Sequence, residues 1–138
     1  MKNEKVESVC IIDDDIIYQF LAKEEIEYTN LVKKVMFFDD GDQAIKFFES
    51  TLDNGNASLL PDVIFLDINM PIMDGREFLE AYISLKPRIG KNIVIYTVSS
   101  SIDMWDIDKA RSISEVSDYI IKPITSNRLV NIFTEVLG

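Results

Sequence analysis

The chain has 138 residues, 47% of them hydrophobic and 28% charged, with a formal net charge of −10 and a pI near 4.4. That length fits about one domain with a substantial core, and the acidity excludes the basic face that a nucleic-acid partner requires. No apolar run approaches the roughly 18 residues of a membrane span, and "MKNEKVESV" lacks the apolar core of a signal peptide, so a cytoplasmic protein without membrane insertion is expected.

Five short apolar runs set the organisation. The first, Val9 to Ile12, contains the single cysteine, Cys10, which cannot staple the fold and reads as a small buried side chain. The others are Val35 to Phe38, Val63 to Leu66, Ile93 to Tyr96 and Tyr119 to Ile121, with starts spaced 26, 28, 30 and 26 residues apart. Runs of this length, rich in Val, Ile and Phe, read as strands buried on both faces. The intervening segments have helical spacing. Ile17, Phe20 and Leu21 share one face, Ala44, Ile45, Phe48 and Leu52 another, and Phe78, Leu79, Tyr82 and Ile83 a third. A fourth helix, from about Asp103 to Ser114, has the weakest pattern. The last segment places Leu129, Ile132, Phe133, Val136 and Leu137 at i, i+3, i+4, i+7 and i+8. "LDNGNASLLPD", at 52–62, reads as a surface loop. Strands alternating with helices require a parallel sheet with right-handed crossovers, hence an α/β, doubly wound (βα)5 sandwich.

Three of the five runs end in an acid: Asp13, Asp39 and Asp67. In a doubly wound sheet the strand C-termini share one edge, and ligands bind where the strand order reverses. In the flavodoxin-like order 2-1-3-4-5 the reversal lies between strands one and three, where Asp13 and Asp67 exit. Converging carboxylates repel unless a cation is shared or a proton retained. Because the chain contains no histidine, the expected cation is a hard one held by oxygens, Mg²⁺, Mn²⁺ or Ca²⁺. Capping of the next helix, or a turn before it, accounts for Asp39 and Asp40. It also accounts for Asp15, but not for Asp13, Asp14 and Asp67 together. After the fourth run comes the hydroxyl cluster "YTVSSS", and after the fifth, Lys122-Pro123. Hydroxyls and an ammonium beside metal-binding carboxylates are what an anionic phosphoryl group needs.

Together "IIDDD", "PDVIFLDINMPIMDG", the hydroxyl after strand four and "YIIKP" resemble the receiver domain of two-component response regulators over nearly the whole chain. The resemblance implies the 2-1-3-4-5 order and a stand-alone, single receiver domain over residues 1–138 with no output domain. It implies that Asp67 is the phosphoacceptor. Asp14, Asp67 and the backbone carbonyl of Asn69 would bind Mg²⁺ (or Mn²⁺), with Asp13 acting through a water. Lys122 would contact the phosphoryl oxygens. The switch hydroxyl is Thr97, Ser99 or Ser100, with alignment favouring Ser99, and Tyr119 falls at the aromatic switch position. The peptide bond before Pro123 is cis in the family.

The implied function is phosphoryl acceptance from a histidine kinase or histidine phosphotransfer protein. The protein would not be an enzyme in the ordinary sense, since it assists only its own phosphorylation and dephosphorylation. The signal would leave through a downstream protein bound to the fourth helix, fifth strand and fifth helix, where Met104 and Trp105 are candidate contacts; a homodimer is compatible with this. Three rival readings compete. A receiver-like binding module working without phosphorylation would not need the full acid, hydroxyl and lysine set. An Asp-nucleophile, Mg²⁺-dependent phosphohydrolase would carry a second Asp where Asn69 stands. A flavodoxin-like cofactor binder would open its first strand into a phosphate loop rather than into three carboxylates.

Overall fold

A computed structural model describes residues 4–68, 74–99, 116–122 and 124–138. Five parallel strands form its sheet: β1 (Val6–Ile12), β2 (Val32–Phe38), β3 (Val63–Asp67), β4 (Val94–Ser99) and β5 (Val116–Ile121). Their order is β2-β1-β3-β4-β5, the expected flavodoxin-like arrangement. Cys10 sits opposite Met36 on β2 and Ile64 on β3, so β1 and β3 are neighbours at the point where the order reverses. All five apolar runs lie in or against these strands. β1, β2 and β5 begin earlier than their runs because their first residues include polar side chains: Glu7 on β1, Lys33 and Lys34 on the edge strand β2, and Ser117 and Asp118 on β5. Charge on an edge strand also discourages pairing with another sheet.

Side-chain alternation sorts each strand onto two cores. Cys10, Ile12, Ile64, Leu66 and Ile95 meet α2 (Gly41–Asp53) and α3 (Gly75–Ile89). There Phe48, Phe78 and Tyr82 pack at centroid distances of 6.0 to 6.4 Å. On the opposite face Val9, Ile11, Phe65, Tyr96 and Val98 meet α1 (Ile16–Thr29) and the C-terminal helix (Ser126–Leu137). The C-terminal helix buries Leu129, Ile132 and Phe133, as its spacing predicts. Cys10 is free and wholly buried, and burial pushes its thiol far above the ordinary range.

Two expectations are corrected. The face of α1 carrying Ile17, Phe20 and Leu21 does not join the core; these residues are exposed, as is Ile16. The buried stripe is Ala22 and Ile26, headed one turn earlier by half-buried Tyr18. The segment after α2 is also more than a surface loop. It makes a 3-10 turn at Ala57–Leu59 and then drives Leu60 fully into the core, with the Leu60 carbonyl accepting from Lys91 Nζ at 2.6 Å. The helix expected near 103–114, with Met104 and Trp105, lies outside the described residues. Among the described residues no helix is long and apolar enough to cross a membrane.

Candidate functional site

Strand parity builds the site. Asp13 follows β1, Asp67 ends β3 and Lys122 follows β5. Continuing the alternation of Ile11, Phe65 and Ile120, all three belong on the side of α1 and the C-terminal helix. Asp13 and Asp67 are buried and Asp14 is exposed. Each of the three offers a carboxylate oxygen, and these oxygens lie within 4.8 Å of one another. The donor set is entirely hard oxygen, which fits Mg²⁺ or Mn²⁺ and disfavours soft transition metals.

Lys122 is the counter-charge. Its Nζ lies 2.8 Å from Asp13 Oδ2 and 3.9 Å from Asp67 Oδ2. One ammonium therefore faces two of the three carboxylates, and the cluster as a whole keeps an excess of negative charge for a divalent cation to neutralise. Asp13 Oδ2 has no further hydrogen-bond partner among the described residues, while Oδ1 accepts the backbone N–H of Asp15 at 2.9 Å.

The local sequence holds these acids in place. Asp15 is the N-cap of α1 and accepts from the backbone N–H groups of Ile17 and Tyr18 at 3.0 and 3.2 Å. The three adjacent acids thus divide as the sequence suggests, with the third serving the helix. The Asp13 carbonyl accepts from Gln19 Nε2 at 2.6 Å, and the same amide nitrogen donates to Asp39 at 3.1 Å. Asp40 caps α2 through the Gln43 N–H, so of the Asp39 and Asp40 pair only Asp40 is a cap. At β3, Gly75 permits a close approach: a Cβ there would lie 2.8 Å from Ile68 Cα and 2.9 Å from the Asp67 carbonyl oxygen. Asp74 closes a capping box with Glu77, so α3 starts hard against the strand end that carries Asp67.

The hydroxyl side is built by β4 and β5. Thr97 and Ser99 are both buried. Ser99 is the last residue of β4 and its carbonyl accepts the Lys122 N–H at 2.8 Å, which ties the hydroxyl-bearing strand end to the lysine. Thr97 sits deeper, opposite Leu66 and Tyr119, and its Oγ1 has no hydrogen-bond partner among the described residues. Tyr119 is buried on β5. Asn69, Ser100 and Pro123 lie outside the described residues.

One neighbour was missed by sequence reasoning. Lys122 Nζ stands 4.2 Å from the centroid of the Tyr18 ring. The Tyr18 hydroxyl is buried without a hydrogen-bond partner among the described residues, and its phenol is pushed up, first by burial and then by the Asp13 and Asp67 carboxylates. The available signal was the i, i+4, i+8 stripe Tyr18, Ala22 and Ile26, which places Tyr18 at the end of the buried face nearest the acids.

Comparisons with known proteins place the chain in a family. A family model described as the response regulator receiver domain matches residues 9–134. A two component response regulator from Cytophaga hutchinsonii has a similar structure, with a TM-score of 0.86 and 32% identity, covering 97% of this chain and 98% of that one. Hybrid signal transduction histidine kinase I of Dictyostelium discoideum is 31% identical over 129 residues, 91% of this chain. The probable methanogenesis regulatory protein FilR2 of Methanothrix harundinacea is 25% identical over 128 residues, 93% of this chain. The chain spans 7% of the length of the hybrid kinase and 79% of FilR2.

Proposed function

The chain belongs to the response regulator receiver family of two-component signalling, and we propose that it accepts a phosphoryl group on Asp67 from a phosphohistidine of a histidine kinase or histidine phosphotransfer protein. The observation that carries this reading is the convergence of Asp13, Asp14 and Asp67, with Lys122 spanning the two buried acids. Asp14, Asp67 and the Asn69 carbonyl would hold Mg²⁺, with Asp13 reaching it through a water. When bound, the cation supplies charge neutralisation for the incoming phosphoryl oxygens.

A carboxylate oxygen of Asp67 attacks phosphorus, the P–N bond to the donor imidazole breaks, and the electron pair of that bond leaves with the imidazole. Lys122 moves its ammonium from Asp13 toward the phosphoryl oxygens and stabilises charge there. Ser99 donates its hydroxyl to one of those oxygens after transfer, and Tyr119 repacks in response. By analogy with other phospho-residues, the product carries roughly −1.5 to −2 charge. That charge biases a two-state surface for a downstream protein on the fourth helix, fifth strand and fifth helix. Exposed Ile121 and Val130 lie on the strand and the C-terminal helix of this face.

The test is incubation with a small acyl phosphate and Mg²⁺, read by intact mass. One added phosphoryl group is expected on the wild-type chain and none on Asp67→Asn. Equal incorporation in the variant refutes the assignment; as the companion result, Asp14→Ala should need a much higher Mg²⁺ concentration, and an unchanged Mg²⁺ titration removes Asp14 from the metal site.

A further inference from the structure

We propose that Tyr18 is a positioning residue for Lys122: its ring forms a third wall beside Asp13 and Asp67 and holds the ammonium at the mouth of the site, poised for phosphoryl transfer. The inference rests on the receiver reading and adds a residue to that reading. Lysine is a point charge on a long flexible stem, so an ion pair alone fixes the distance of Nζ from one oxygen and leaves the stem free. Here Nζ is bounded on three sides, at 2.8 Å by Asp13 Oδ2, at 3.9 Å by Asp67 Oδ2 and at 4.2 Å by the Tyr18 ring centroid. The lysine side chain is largely withdrawn from water, 16% exposed, and desolvation is the condition under which a cation–π contact strengthens.

The ring is itself fixed. Asp15 accepts the backbone N–H of Tyr18 at 3.2 Å, which sets the first turn of α1, and Ala22 and Ile26 on the same stripe are buried against the sheet. A platform on a helix capped at its first turn and packed through Ala22 and Ile26 is preorganised, and a fixed wall limits the paths the ammonium can take from Asp13 toward the phosphoryl oxygens. The Tyr18 hydroxyl has no hydrogen-bond partner among the described residues. The ring face therefore performs the positioning, and a phenylalanine should serve as well.

The experiment has two arms. In proton NMR of the metal-free wild-type chain, the Lys122 ε-methylene protons should be shifted upfield by the ring current. They should stay shifted in Tyr18→Phe and return to ordinary lysine values in Tyr18→Leu. Unshifted protons in the wild type overturn the inference without reference to activity. In the kinetic arm, phosphorylation by a small acyl phosphate with Mg²⁺ should slow about tenfold in Tyr18→Leu, the size of a partly desolvated cation–π contact. Tyr18→Phe should match wild type, and Tyr18→Leu should add nothing in a Lys122→Ala background. A wild-type rate in Tyr18→Leu, an equal slowing in Tyr18→Phe, or additive losses in the double variant each overturn the inference while the receiver reading stands. A wild-type chain that takes up no phosphoryl group overturns both.

Discussion

Phe48 and Asp13 are almost equally withdrawn from water, at 0% and 1% exposure, and opposite physics holds them there. Phe48 is surrounded by Phe47, Phe78 and Tyr82 at ring distances of 6.0 to 6.4 Å. Its burial removes apolar surface from water and stabilises the fold directly. Asp13 shares its region with two more carboxylates and one ammonium. That arrangement opposes folding through repulsion and desolvation, and the sheet body must offset it. The comparison teaches that the middle of the sheet supplies the stability that its C-terminal edge consumes, and that the edge keeps unbalanced charge available for a ligand.

Substitutions on the two sides should therefore move stability and function separately. The largest effect on stability is expected from Phe48→Ala, about 3 to 5 kcal/mol lost in urea denaturation. The folded variant should retain wild-type Mg²⁺ affinity; loss of that affinity would show that core and edge are not separable. Asp15→Ala should cost about 1 kcal/mol, because the N-terminal N–H groups of α1 lose their cap. Far-UV dichroism during thermal unfolding would read that change, and an unchanged midpoint would remove the capping role. The smallest change in stability belongs to the buried charge: Asp13→Asn should shift unfolding by less than about 1 kcal/mol. It relieves repulsion, keeps the Oδ1 contact to the Asp15 N–H and leaves Lys122 facing Asp67. The same variant should weaken Mg²⁺ binding about tenfold or more, in line with the loss of a group that orients metal ligands. A destabilisation comparable to Phe48→Ala would contradict the view that the edge is a net cost to folding.

The strands and the acids were legible in the sequence for one reason. Parallel strands covered on both faces must be continuously apolar, so the residue at which each run stops is visible, and three runs stop at Asp. The division of Asp13, Asp14 and Asp15 was legible because a helix start demands a cap. The orientation of α1 was not. Ile17, Phe20 and Leu21 have helical spacing, but spacing identifies a stripe without saying what covers it, and the stripe that packs is the less apolar Tyr18, Ala22 and Ile26. Leu60 was missed because the pair Leu59-Leu60, in a segment broken by Asn, Gly and Pro, has no periodicity to say which of the two is buried. The contact between Tyr18 and Lys122 was missed because it joins the first helix to the end of the last strand, a pairing that only the packed sheet brings together.

The central claim concerns one carboxylate. After phosphorylation with a small acyl phosphate and Mg²⁺, borohydride reduction converts an aspartyl-phosphate to homoserine, and peptide mass spectrometry locates the converted residue. The expected result is conversion at Asp67 alone, with Asp13 and Asp14 unchanged although each offers a carboxylate oxygen within 4.8 Å of one from Asp67. Conversion at Asp13 or Asp14, or none at any of the three, would contradict the account.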